Sequence, residues 1–131
     1  MNTRWLLLGS LGLFAFVFGC NTGPPTYEVT GTVSWNGAPL AKGDVTFEAT
    51  DGAATPGAGK IVNGEFKFRV TAGKKVVRIY SERETGKADP VMHGSWREQF
   101  LPDRYNAQSI LTEEVTPGGP NRFVFALTEK P

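Results

Sequence analysis

Apolar and polar residues alternate in short stretches along most of the chain beyond residue 26. The stretches with strand character are 27–35, 45–49, 59–62, 65–70, 75–80, 110–115 and 121–127. A period of two is typical of a β-strand that buries one face and exposes the other. Asn36-Gly37 and Asn63-Gly64 have the residue types that accept the positive φ angles of a tight hairpin turn. The pattern therefore predicts an all-β fold, and seven strands at this spacing favour an antiparallel β-sandwich.

A long polar segment, residues 81–108, interrupts this pattern. Its first part, residues 81–87, mixes charges of both signs and is predicted to be a solvated loop. Further along, we expect Phe100 to pack against the sandwich, whereas Trp96 could equally pack or stay exposed. For Tyr105 we favour a corner in which the hydroxyl group bonds to nearby backbone as the chain enters a strand.

The first residues have the organisation of a signal peptide. Arg4 supplies a positive charge, and an apolar run follows up to residue 18. This run is about 14 residues long, shorter than the roughly 20 that a helix needs to cross a bilayer. Cys20 is the only cysteine, so the domain is expected to fold without an internal disulfide. The predicted organisation is a signal peptide over 1–19, a lipidated cysteine and tether over 20–26, and one domain over 27–131.

The segment Val17-Phe18-Gly19-Cys20 resembles the bacterial lipobox, which has an aliphatic residue, a small variable residue, Gly or Ala, and then Cys. The resemblance implies cleavage between Gly19 and Cys20 and acyl chains, such as palmitate, on the new N-terminal cysteine. The chain departs from the pattern at Phe18, where a smaller residue is usual. Lipid anchoring in the cell envelope is then implied, at the outer or cytoplasmic membrane, on a periplasmic or surface face. The alternative is an incidental cysteine after an ordinary secretory signal or a short membrane anchor.

Three short motifs occupy the start of the domain. Val29-Thr30-Gly31-Thr32-Val33, Asn36-Gly37-Ala38-Pro39-Leu40 and Gly43-Asp44-Val45-Thr46-Phe47 are similar to those of carboxypeptidase regulatory-like domains. The later segments 101–106 and 123–127 resemble those of small transthyretin-like lipoproteins of planctomycete-type bacteria. The resemblance implies a prealbumin-like, seven-stranded sandwich with Greek-key connections and no catalytic site.

The net charge of the chain and its few possible metal ligands argue against several classes of function. The chain carries 14 Lys and Arg against 13 Asp and Glu, and Arg4 lies in the signal segment, so the remainder is formally neutral. A neutral domain lacks the basic footprint of a nucleic-acid binder. His93 is the only histidine, and no cluster of ligand residues with metal-site spacing accompanies it. We therefore predict no metal, no cofactor and no enzymatic activity.

The long polar segment supplies the candidate binding surface, which comprises His93, Trp96, Arg97 and Tyr105. The leading hypothesis is a non-catalytic, membrane-anchored module that contacts another envelope protein or a cell-wall component through a sheet edge or residues 82–103. One alternative is a carbohydrate-binding module in which Trp96 and Tyr105 stack on sugars. A further alternative is an enzyme centred on His93, whose side chain changes charge near neutral pH, although a solvated loop histidine is the simpler interpretation.

Overall fold

The computed structural model describes residues 23–88, 90, 91 and 93–131, and β-strands dominate them. A short 3-10 helix covers Asp103–Tyr105. No helix within these residues is long and apolar enough to cross a membrane. The predicted signal peptide, its cleavage site at Gly19 and the lipidation site Cys20 lie outside the described residues. The strands in chain order are β1 (Thr26–Trp35), β2 (Ala38–Pro39), β3 (Lys42–Ala49), β4 (Gly57–Val62), β5 (Glu65–Thr71), β6 (Gly73–Tyr80), β7 (Glu82–Ala88), β8 (Ser95–Gln99), β9 (Thr112–Val115) and β10 (Arg122–Leu127).

The main sheet is curled and has the strand order β10-β1-β5-β4-β3-β6-β9, with the short strand β2 beside β1. β4 and β5 pair only next to their turn, where Val62 faces Glu65. Beyond that point β5 pairs with β1 and β4 pairs with β3. The sheet therefore has two halves joined by the β4–β5 hairpin, and their buried side chains form one core. The predicted all-β, sandwich-like architecture is confirmed.

β1 and β10 pair in parallel, from Thr30 opposite Arg122 to Trp35 opposite Leu127. This departs from the wholly antiparallel arrangement expected from the sequence; the other ladders between described strands are antiparallel. A tight turn imposes antiparallel pairing only on strands that are neighbours in the chain. Because β1 and β10 are the first and last of the described strands, no turn sets their relative direction.

Two Asn-Gly turns shape the sheet as the sequence predicts. Asn36 and Gly37 have φ angles of 49° and 85°, and Asn63 and Gly64 have φ angles of 50° and 77°. Positive φ at both central residues is the mark of a type I′ turn, which matches the twist of the strands on either side. The turns join β1 to β2 and β4 to β5.

Phe47 on β3 lies at the centre of the core and is fully buried. Its ring packs against four other phenylalanine rings at centroid distances of 5.2 to 6.4 Å, those of Phe66, Phe68, Phe123 and Phe125. Gly31 on β1 makes room for this cluster. A Cβ atom at position 31 would lie 2.5 Å from the Phe66 ring and 2.3 Å from the Phe123 carbonyl oxygen.

Residues 82–99 form a second, separate unit, a β7–β8 hairpin. The prediction of a solvated loop over residues 81–87 was right about the exposure of most of this segment, but Ser81 is buried and Thr85 is partly buried. It was wrong about the backbone, because 82–88 is a strand. Cross-strand pairs hold the hairpin, among them Arg83 opposite Glu98, whose Nε and Oε1 atoms lie 3.0 Å apart. The guanidinium group of Arg83 also lies over the Phe100 ring, 5.5 Å from its centroid.

The start of β1 and the β7–β8 hairpin lie at opposite ends of the domain. Thr26 opens β1 and pairs with Thr71, two residues before β6 begins. β6 then runs for 8 residues to Tyr80, and the hairpin follows. At about 3.3 Å per residue this strand spans roughly 26 Å. We call the end at Thr26 and Thr71 the tether pole and the end at Tyr80 the hairpin pole.

Candidate functional site

A cleft of about 580 Å³ lies at the base of the β7–β8 hairpin, and we call it the hairpin cleft. Three elements of the curled sheet and one strand of the hairpin meet there. β3 and β4 contribute outward-facing residues near the hairpin pole, the end of β6 contributes an aromatic ring, and β8 forms the opposite wall. The side chains that define the cleft are Lys42, Asp44, Lys60, Tyr80, Arg97 and Gln99.

The alternation of β8 separates two residues that the sequence analysis grouped together. Successive side chains on a strand point to opposite faces. Arg97 and Gln99 therefore share the face that lines the hairpin cleft, whereas Trp96 lies on the other face and is 53% exposed. Of the four predicted surface residues, Arg97 is the one that lines this cleft.

Hydrogen bonds fix the hinge between the hairpin and the sheet. The Gln99 Oε1 atom accepts hydrogen bonds from the backbone N–H groups of Ser81 and Leu101, at 2.9 and 3.3 Å. The Ser81 hydroxyl group donates to the Lys42 carbonyl oxygen at 2.7 Å. Since Gln99 and Lys42 both line the cleft, these contacts also fix the relative position of its two walls.

The charges in the hairpin cleft are only partly paired. Lys60 Nζ lies 2.5 Å from Asp44 Oδ1. Within the described part of the chain, the side chains of Lys42 and Arg97 make neither an ion pair nor a hydrogen bond. Glu82 also lines the cleft and has no ion pair to a described side chain, so the unpaired charges of the cleft are two cations and one carboxylate.

Tyr105 lies away from this cleft and is nine-tenths buried at the hairpin pole. Its hydroxyl group accepts a hydrogen bond from the Thr128 N–H at 3.0 Å and lies 3.2 Å from the Thr128 carbonyl oxygen. We expected a bond to nearby backbone, but the partner lies 23 residues further along, just past β10. The Arg104 guanidinium group covers the ring at 4.6 Å from its centroid, so Tyr105 has little free face for stacking on a sugar.

His93 lies in the exposed turn between β7 and β8 and has a φ angle of 53°. Asp89 and Met92, in the same turn, are outside the described residues. No described side chain forms a hydrogen bond or an ion pair with His93. Among the residues that the structure describes, no three His, Cys, Asp or Glu side chains come together as metal ligands.

Sequence reasoning missed Lys42, Lys60 and Tyr80 as site residues. Each lies at an outward position of a strand, where a polar or amphipathic side chain is the usual outcome. Their proximity comes from the pairing of β3 with β4 and β6, so no local motif signals it.

Comparison with known protein families, with curated proteins and with solved structures finds no match to this chain.

The environment of Tyr105 leads to a pH-dependent prediction. Burial favours the neutral phenol, but hydrogen bonds from Thr128 and Arg104 and the charge of Arg104 outweigh it and lower the pKa of Tyr105 from 10.0. We expect the 295 nm absorbance titration of the protein, minus that of Tyr105→Phe, to show a midpoint below 10. Arg104→Ala should raise this midpoint.

The lowered pKa also has a consequence for folding. Near this pH the folded chain binds fewer protons at Tyr105 than the unfolded chain, so this group's contribution to stability grows as pH rises through the folded pKa. It is complete above the ordinary tyrosine value. A difference titration with a midpoint above 10 would contradict the hydrogen-bonded arrangement.

Proposed function

We propose that the protein is a non-catalytic lipoprotein of the cell envelope, anchored through acylated Cys20, whose β-sandwich-like domain presents the β7–β8 hairpin to another envelope protein. The observation that carries the proposal is the position of the hairpin at the pole opposite the tether. A prealbumin-like, carboxypeptidase regulatory-like domain is the finer fold that we propose for the sandwich, on the motifs over residues 29–47.

The exposure of the hairpin supports a role in binding. Within β7 and β8 only Thr85 is partly buried. Isolated two-stranded hairpins are marginally stable in water, so contact with a partner surface would stabilise the β7–β8 hairpin. Trp96 and Val91 expose 53% and 79% of their surfaces on this hairpin. Exposed aromatic and aliphatic side chains rimmed by charges are typical of protein contact sites.

The geometry of the tether supports the same assignment. Five residues lie between the acylated cysteine and Thr26, where β1 begins, so the six steps from one to the other span at most about 22 Å when extended. The tether pole therefore stays near the membrane surface, and the hairpin projects from the far end of the domain. A partner that binds the hairpin would approach from the side away from the anchoring membrane.

Site-specific cross-linking in the native envelope tests this proposal. We expect Trp96→p-benzoylphenylalanine to give one discrete protein adduct on illumination. Ile110→p-benzoylphenylalanine is the matched control, because Ile110 is 85% exposed but lies on the body of the domain. Adducts of equal yield from both positions, or none from position 96, would contradict a hairpin contact.

A shortened variant then separates binding from folding. Replacement of residues 83–98 by Asn-Gly joins Glu82 to Gln99, which already face each other across the hairpin, and keeps the Gln99 hydrogen bonds to Ser81 and Leu101. Because the described residues of this segment bury little, we expect the thermal midpoint to change by only a few degrees. The cross-linked partner should no longer co-purify, and its retention would show that the contact lies elsewhere.

A further inference from the structure

A second cleft, of about 650 Å³, lies on the outer surface of the β10-β1-β5 half of the sheet, and we call it the sheet cleft. Thr30 and Thr32 of β1 lie in it, with Lys67 of β5 on one side and Arg122 and Val124 of β10 on the other. Successive side chains of a strand point to opposite faces, and these residues all occupy outward-facing positions of three neighbouring strands.

The two clefts adjoin at the end of β4. Lys60 and Val62 line both of them. A ligand that passes over these two residues would therefore run from Arg97 at the hairpin to Arg122 at the β10 edge. This geometry suits an extended polymer better than a compact small molecule.

The combined groove is more basic than the rest of the domain. Five cations line it, Lys42, Lys60, Lys67, Arg97 and Arg122, against three carboxylates, Asp44, Glu65 and Glu82. Two of the cations already have carboxylate partners, Lys60 with Asp44 at 2.5 Å and Lys67 with Glu28 at 3.5 Å. Lys42, Arg97 and Arg122 have no ion pair or hydrogen bond to any described side chain. Glu65 and Glu82 likewise have no ion pair to a described side chain. The groove as a whole still has two more cations than carboxylates, and this net charge favours an anionic ligand.

The uncharged lining favours a hydroxyl-rich ligand. Side chains that can form hydrogen bonds lie beside the cations, namely Thr30, Thr32, Asn63 and Tyr80. The apolar part of the lining consists of the exposed side chains of Val62 and Val124 and, deeper, of the core residues Ile61, Phe66 and Phe123. Sugars present this combination of hydroxyl groups and weakly apolar ring faces.

We propose that the two clefts form one binding groove for an acidic polysaccharide, with sugar carboxylates bound by Arg97 and Lys42 at one end and by Arg122 at the other. Arg97 and Arg122 can each bind a carboxylate through two parallel hydrogen bonds. This inference does not depend on the lipid anchor, but it shares Arg97 with the hairpin. Arg122 lies on β10, outside the hairpin, so Arg122→Ala tests the groove without changing the proposed protein contact.

Calorimetric titration of the full-length protein in neutral detergent tests the groove. The probes are oligogalacturonates of increasing length, and the matched ligand control is the same oligomer as its methyl ester, which keeps the hydroxyl groups and loses the charge. We expect affinity to rise with length, to fall with added salt and to be lost with the ester. Arg97→Ala and Arg122→Ala should each weaken binding of the long oligomer by on the order of tenfold.

Arg83→Ala is the matched protein control. Arg83 is exposed, pairs with Glu98 on the other face of the hairpin and lines neither cleft. It should leave the affinity unchanged although it removes the same charge. All three arginines are exposed, so their substitution should change folding stability little.

Four results would overturn the proposal. Equal binding of a poly-glutamate peptide of similar length would show an unspecific acidic-polymer surface, and equal loss with Arg83→Ala would show a net-charge effect. Absence of binding to the oligogalacturonates at low salt would remove the groove as a uronate site. If Arg97→Ala alone weakens binding and Arg122→Ala does not, the two clefts do not act as one groove.

Discussion

Cys20→Ser is expected to move the protein from the membrane fraction to the soluble fraction of the envelope. Each methylene buried in the bilayer contributes about 0.8 kcal/mol, and one acyl chain alone gives only marginal anchoring, whereas several chains on one residue hold a protein effectively permanently. A serine hydroxyl cannot form the thioether that carries the diacylglyceryl group. The measurement is fractionation after a high-salt wash, together with the mass of the N-terminal peptide, which should carry the acyl chains in the wild-type protein.

Thr22→Ser is the control for Cys20→Ser, because it makes a comparably small change in the tether and leaves the thiol in place. It should remain in the membrane fraction. If Cys20→Ser also stayed there after the wash, the apolar segment before it would be acting as the anchor, and the lipoprotein assignment would be wrong. The hairpin cross-link would still test the binding role, since that contact does not depend on how the chain is anchored.

Local sequence signals account for most of the fold. The Asn63-Gly64 pair predicts the β4–β5 hairpin because a two-residue turn with positive φ has few solutions, and those solutions fix the register of the strands beside it. Residues 65–70 alternate so clearly that the buried face, with Phe66 and Phe68, follows directly. Turn type and side-chain alternation are both properties of adjacent residues, which is why a single sequence is enough to read them.

Pairing between distant segments was not predictable in this way. Nothing in residues 122–127 indicates that they pair in parallel with β1, because the pairing depends on how the intervening sheet curls. β7 is a strand without an apolar face, so its sequence has the composition of a loop. Its strand form comes from cross-strand contacts with β8, such as that of Arg83 with Glu98.

The residues of the candidate site likewise divide into those that the local sequence indicates and those that only the sheet order brings together. Arg97 could be selected because it lies in a polar segment that the strand pattern does not explain. Lys42 and Tyr80 were unremarkable as solvent-facing strand residues, and only the order of β3, β4 and β6 in the sheet brings them beside Arg97. Lys75 is a charged residue at an inward-facing strand position, unlike the outward-facing Lys42. It shares the inward face of β6 with Val77 and Ile79, is only 1% exposed, and its Nζ atom donates to Thr71 Oγ1 at 2.8 Å.

Phe47→Ala is expected to cause the largest loss of stability of any single substitution proposed for this domain. Phe47 is fully buried, and its ring touches aromatic rings from β5 and from β10, which belong to the opposite half of the sheet. Truncation removes the buried ring and leaves a cavity between the two halves, a change that costs about 3–5 kcal/mol in other cores. Domains of this size are stable by about 5–15 kcal/mol in total, so the urea midpoint at 25 °C should fall sharply.

Two further variants make this result interpretable. Ile110→Ala removes an aliphatic side chain that is 85% exposed, and it should change the free energy of unfolding by less than about 0.5 kcal/mol. Phe47→Leu keeps most of the buried volume and should fall between the two, which preserves the measurement even if the alanine variant does not fold. A cost below about 1 kcal/mol for Phe47→Ala would mean that the two halves of the sheet are not held together through this ring. The stability of the sandwich-like core would then depend on the aliphatic residues of β1, β3 and β6 instead of on the phenylalanine cluster.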